Sequence, residues 1–131
     1  MKQFKLITLS LIFCALMFSC NAQNNEHIIE VSPEELQQVL KQEKDIRIID
    51  VRTPEEFEAG HIEGAENINF FDSDFETRVG LIDNRKSLVI YCKSGRRSGK
   101  SQEVFTKLGF NKIYNLEGGI LGWKSEGFKT K

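Results

Sequence analysis

Twice in its first half the chain runs from a short apolar stretch straight into the same helix-starting phrase. His27-Ile28-Ile29-Glu30-Val31 leads into Ser32-Pro33-Glu34-Glu35, and Ile46 to Val51 leads into Thr53-Pro54-Glu55-Glu56. In each phrase a hydroxyl residue serves as N-cap, proline occupies the first helical position, and a glutamate stands where it completes a capping box. Leu36, Val39 and Leu40 give the first helix an apolar face through about Gln42, and Gly60 ends the second. Further on, Ala65 to Phe70 reads as a strand, and the spacing of Phe71, Phe75, Val79 and Ile82 predicts a helix. Leu88 to Tyr91 is a strand, and Arg97 to Leu108 a helix with Ser101, Val104, Phe105 and Leu108 inward and Gly109 just past its end. Lys112 to Leu116 is the last strand, followed by a short helix from Gly119 to Lys124 with Ile120 and Trp123 inward. Short apolar strands alternating with helices imply an α/β fold: a parallel sheet covered on both faces. Ligand sites in such sheets lie at the C-terminal ends of the strands, an edge that Asp50 and Cys92 share.

The first residues have a different character. Met1 to Lys5 is short and basic, and Leu6 to Phe18 is apolar but too short for a hydrocarbon core that takes about 20 residues. The stretch closes on Met17-Phe18-Ser19-Cys20, similar to a bacterial lipobox, in which a small residue precedes a cysteine that becomes the lipidated first residue. The expected organisation is a lipoprotein-type signal peptide over 1–19, a polar tether over 20–26 and one domain over 27–128. Cleavage near Ala22 by a general signal peptidase is the alternative. Either way the expected location is extracytoplasmic, in the periplasm or cell envelope, with anchoring through Cys20 in the first case.

Charge narrows the partners. The chain has 18 Lys and Arg against 19 Asp and Glu, and loss of the leader removes Lys2 and Lys5. What remains is acidic on balance, without a tract basic enough to follow a phosphate backbone, so a nucleic-acid partner is not expected. His27 and His61 stand far apart without ligand-spaced cysteines, so no metal site is expected.

Of three cysteines, Cys14 and Cys20 lie in the N-terminal export segment, which leaves Cys92 alone in the domain over 27–128. It opens the segment Cys92-Lys93-Ser94-Gly95-Arg96-Arg97-Ser98, directly after a strand and before a helix. A glycine lets the backbone turn tightly, and successive N–H groups form a nest continuous with the helix N-terminus. With Lys93, Arg96 and Arg97 close by, the expected result is a thiol of lowered pKa, nucleophilic at neutral pH.

Taken together, Asp50-Val51-Arg52, Gly60-His61-Ile62-Glu63-Gly64-Ala65, the Cys92–Ser98 segment and Leu116-Glu117-Gly118-Gly119 with Trp123 resemble the rhodanese (thiosulfate sulfurtransferase) family. The likeness is to its single-domain, exported members. The resemblance implies five parallel strands with helices on both faces and a six-residue catalytic loop from Cys92 to Arg97. It implies transfer of a sulfane sulfur from thiosulfate or a similar donor, through a Cys92 persulfide, to cyanide or a thiol, with no cofactor. Lys93, Ser94, Gly95, Arg96 and Arg97 are then the substrate-binding residues, with Arg97 matching the arginine that binds substrate anions. Arg97 could also brace the loop by pairing with Asp50. Asp50 and Arg52 are expected to support the site, His61 to pack or hydrogen-bond in its turn, and Trp123 to belong to the core.

Two other functions fit parts of the pattern. A persulfide carrier or redox module serving a protein thiol partner at the membrane would use the same chemistry. A cysteine-dependent phosphatase or arsenate reductase needs five residues between cysteine and arginine. Here Arg97 comes one residue early and position 98 is serine.

Overall fold

A computed structural model describes residues 26–131. The leader, Cys20 and all but the last residue of the tether lie outside the described residues. Strands and helices alternate throughout: β1 Ile28–Val31, α1 Pro33–Gln42, β2 Arg47–Asp50, α2 Pro54–Glu58, β3 Ala65–Asn67, α3 Phe75–Val79, β4 Leu88–Tyr91, α4 Arg96–Lys107, β5 Ile113–Leu116 and α5 Gly119–Ser125.

Both expected capping boxes form. The Ser32 hydroxyl accepts from the Glu35 N–H at 3.2 Å and the Glu35 carboxylate accepts from the Ser32 N–H at 2.8 Å. Thr53 and Glu56 repeat the exchange at 3.3 and 3.1 Å. Each box satisfies two donors that a helix start would otherwise leave unpaired.

All five strands pair in parallel, in the order β1-β5-β4-β2-β3. Every residue of the central strand β4 is buried. Side chains alternate between faces, as the period of two requires. Ile49, Leu88, Ile90 and Ile113 pack with Phe75 and Val79 of α3 and Phe105 of α4. Ile48, Val89, Tyr91, Tyr114 and Leu116 pack with Leu36 of α1 and with Ile120 and Trp123 of α5. The first face holds a run of edge-on aromatics, Phe70 to Phe75, Phe75 to Phe105 and Phe105 to Phe110, with ring centroids 5.3, 6.0 and 5.6 Å apart. Edge-to-face contact is the arrangement aromatic quadrupoles favour.

Two expected elements are shorter than the sequence suggests. β3 ends at Asn67 instead of running to Phe70. The Ile68 and Phe70 N–H groups still bond to the carbonyls of Asp50 and Val51, both at 3.0 Å, so the chain stays beside β2. Asn69 then turns it, accepting from the Phe71 N–H and donating to the Asp72 carboxylate. That turn delays the next helix, which spans only Phe75–Val79. Phe71 is left 67% exposed, while Ile82 reaches the core from a tight turn after Gly80. Apolar spacing marks burial, and a residue can be buried from a turn as readily as from a helix.

Candidate active site

β4 delivers Cys92 to the C-terminal edge of the sheet, one residue beyond the register pair of Asp50 and Tyr91. The residue is buried, and its Sγ accepts a hydrogen bond from the Gly95 N–H at 3.1 Å. Gly95 has φ +103° and serves as the N-cap of α4, so the loop closes through a backbone conformation that favours glycine. Burial pushes the Cys92 thiol up. The Ser98 N–H and hydroxyl and the N–H groups of Gly95 and Ser94 outweigh it, and the thiol lies below its ordinary value. The backbone nest and the Ser98 hydroxyl carry this effect together. Around it Lys93, Ser94 and Arg96 are exposed, and Gly95 and Arg97 are half-buried.

The base of the loop rests on α5. The Ile120 N–H donates to the Cys92 carbonyl at 2.9 Å and the Leu121 N–H to the Lys93 carbonyl at 3.1 Å. Gly118 and Gly119 both have positive φ, +70° and +57°. A Cβ on Gly119 would lie 2.5 Å from the Cys92 carbonyl oxygen and 2.6 Å from the Lys93 carbonyl carbon and oxygen. Gly119 is therefore a positioning residue, although along the sequence it marks only the start of the last helix. Its signal was a glycine pair directly before a helix. Gly119→Ala is expected to cost about 2–4 kcal/mol from backbone strain and overpacking together. Gly64→Ala, at φ +84° with nothing within 4 Å of the new Cβ, is expected to cost only about 1 kcal/mol. Urea denaturation of the two variants side by side measures the difference, and equal losses would contradict the close-approach argument.

Asp50 and Arg52 form a sealed pair. Asp50 is 0% and Arg52 4% exposed. Arg52 donates Nε to Asp50 Oδ1 at 2.9 Å and Nη2 to Oδ2 at 2.6 Å, and its backbone N–H also donates to Oδ1. Nη2 reaches the Gly60 carbonyl at 2.8 Å, which ties the β2 exit to the turn before β3. Burial pulls the guanidinium pKa down, but the Asp50 carboxylate beside it more than compensates and leaves it raised.

With Asp50 occupied by Arg52, Arg97 pairs elsewhere. Its Nη1 and Nη2 donate to Glu56 Oε2 and Oε1 at 2.6 and 2.8 Å. Hydrogen bonding from Arg97 is the main reason that the Glu56 carboxyl is lowered to about 2. The brace expected from Asp50 thus comes from Glu56, a residue the sequence placed only in a capping box. The Phe71 ring lies 5.7 Å from the Arg97 guanidinium carbon, so the segment from Phe70 to Asn84 meets the loop at that side chain. His61 stacks on Phe57 with ring centroids 3.8 Å apart, and its Nδ1 lies 3.0 Å from the Phe57 carbonyl. Trp123 is buried, with Nε1 donating to the Lys129 carbonyl.

Comparison with known proteins identifies the family to which this fold belongs. A family model described as rhodanese-like domain matches residues 32–126. The chain is 33% identical over 98 residues to a sulfurtransferase of Allochromatium vinosum, a match covering 75% of this chain and 90% of that protein. It is 32% identical over 103 residues to YrkF of Bacillus subtilis, a putative sulfur carrier protein, covering 79% of this chain but just 55% of YrkF. The chain thus spans little more than half the length of that relative. Among solved structures, a rhodanese-related protein from Thermoplasma volcanium superposes with a TM-score of 0.68 at 28% identity, covering 78% of this chain and 96% of the other. The chain belongs to the rhodanese-like domain family.

Proposed function

We propose that this chain is a sulfurtransferase that carries sulfane sulfur on Cys92. The observation that carries the reading is the backbone cradle at Sγ, with the Gly95 N–H at 3.1 Å and a thiol held below its ordinary value. In the first step the Cys92 thiolate attacks the outer sulfur of thiosulfate. A new S–S bond forms, the old one breaks, and sulfite leaves with the electron pair. The same N–H groups then face the persulfide anion. In the second step an acceptor, a thiolate or cyanide, attacks the outer sulfur and Cys92 departs as thiolate. Two displacements replace one harder transfer. The electrons balance within the sulfur chemistry, so neither a metal nor an organic cofactor enters. Incubation with thiosulfate followed by mass spectrometry tests the reading. The expected result is one added sulfur, about 32 Da, on Cys92 and nowhere else. An unmodified Cys92 would overturn it.

A second reading, a persulfide carrier for a protein thiol, draws on the likeness to YrkF. Steady-state turnover with thiosulfate and cyanide supports the enzyme, whereas transfer to a protein thiol without such turnover supports the carrier. The phosphatase reading has less behind it. The position that would need arginine is Ser98, whose side chain is buried, with Oγ 3.3 Å from the Gly95 carbonyl.

We also propose that the mature chain begins at lipidated Cys20 and is held on an extracytoplasmic membrane face. The basic start, the short apolar stretch and Ser19-Cys20 support this. Cys20→Ala is expected to release the protein from the membrane fraction or stall its processing. Wild-type protein recovered as a soluble chain starting near Ala22 would contradict the anchor.

A further inference from the structure

The loop sequence contains three cations, yet among the described residues only one of them, Arg97, is ion-paired. Among the described residues, Glu56 on Arg97 is the one carboxylate ion-paired with a loop cation. The pairing is built to last. Both terminal guanidinium nitrogens are engaged, at 2.6 and 2.8 Å. Glu56 cannot follow Arg97 outward, because its Oε2 also accepts from the Thr53 N–H at 3.1 Å and the Thr53 hydroxyl at 3.2 Å. The Phe71 ring flanks the guanidinium. The Arg97 and Glu56 side chains are 18% and 29% exposed, so water screens them incompletely and the two charges cancel against each other. Cys92 is near enough for its thiolate charge to stabilise the Arg97 cation.

We propose that Glu56 is a specificity-determining positioning residue: it holds Arg97 beside the Cys92 loop and cancels its charge there. Lys93 and Arg96 alone then draw anions, and the site favours sulfur donors and acceptors of low charge over dianions such as thiosulfate. This rests on the reading of Cys92 as a thiolate nucleophile. Glu56 acts through Arg97, not by touching substrate.

Alkylation of Cys92 measures the field without requiring sulfur transfer. Iodoacetate and iodoacetamide react alike, the thiolate attacking the CH₂ carbon as iodide leaves with its electron pair, but only the first is an anion. The ratio of their rate constants therefore reports charge at the mouth. In Glu56→Gln the amide oxygen can still cap α2, so the variant removes charge rather than the helix start. The ratio is expected to rise roughly three- to tenfold, the effect of a unit charge several ångströms away in a partly aqueous surrounding. The KM for thiosulfate should fall by a similar factor, without a matching rise in kcat. Arg97→Gln is expected to lower the ratio. The double variant should return within about twofold of the wild type, since a cation and its mask are removed together.

A ratio unchanged or lowered in Glu56→Gln would overturn the proposal. So would a double variant as low as Arg97→Gln alone, which would mean that Arg97 meets the anion unmasked. A Glu56→Gln chain that no longer folds by circular dichroism would also overturn it, by making the pair a structural brace. Failure of sulfur transfer itself shows separately, as absence of the 32 Da adduct, and leaves the ratio readable.

Discussion

Cys92→Ser is expected to reduce sulfur transfer by at least about a thousandfold, as loss of a covalent nucleophile does when no other group can replace it. The expectation follows from how little else the site offers. Cys92 is the only free cysteine among the described residues. His61, the one histidine near the motif residues, stacks on Phe57 with its Nδ1 facing the Phe57 carbonyl. A serine hydroxyl is far harder to ionise than this thiol, and the N–H groups of Ser94, Gly95 and Ser98 would cradle an atom that stays protonated. The fold should persist, because serine is close in size and its hydroxyl can accept from the Gly95 N–H. Thiosulfate:cyanide assays and intact-mass spectra check both halves. Wild-type rates in Cys92→Ser would remove Cys92 from the mechanism.

Arg52→Leu is expected to cost about 3–5 kcal/mol, the usual consequence of removing one partner of a buried ion pair. It would leave the Asp50 carboxylate, 0% exposed, with the backbone N–H at position 52 on its Oδ1 and the neighbouring Tyr91 hydroxyl, but no cation to balance its charge. It would also release the Gly60 carbonyl from its Nη2 partner at 2.8 Å. In a domain of this size the melting temperature should fall by roughly 15–25 °C. The double variant Asp50→Val with Arg52→Leu should recover much of that loss, because an apolar pair no longer strands a charge. A loss below about 1 kcal/mol in Arg52→Leu would show that water reaches the carboxylate and that the pair does not brace the sheet edge.

Much of this molecule was legible in the chain because the relevant interactions are local. A capping box joins residues three apart, so Ser32 with Glu35 and Thr53 with Glu56 could be read directly, and both form. Strand alternation likewise fixes faces residue by residue, and the Cys92 nest is made by the N–H groups of the few residues that follow it. The same local logic misled where apolar spacing alone was used. Phe71 to Ile82 has helical periodicity, yet the Asn69 turn and Gly80 confine the helix to Phe75–Val79.

Tertiary structure decided what depends on contacts between distant segments. Arg97 could have met Asp50 or Glu56, and no spacing rule chooses between them. The choice was made by Arg52, which fills both Asp50 oxygens from two residues away and leaves Glu56, on the far side of α2's first turn, as the partner for Arg97. Gly119 gained its role in the same way. Parallel pairing of β4 with β5 brings the start of α5 onto the Cys92 and Lys93 carbonyls, where a Cβ would lie 2.5 Å from an oxygen. The sequence by itself determined the Cys92 loop, the helix starts and the parallel α/β architecture, since each rests on short-range hydrogen bonding or on a period along one element. Packing alone settled which charge each arginine neutralises and which glycine supports the loop, because those depend on where separate strands bring their ends together.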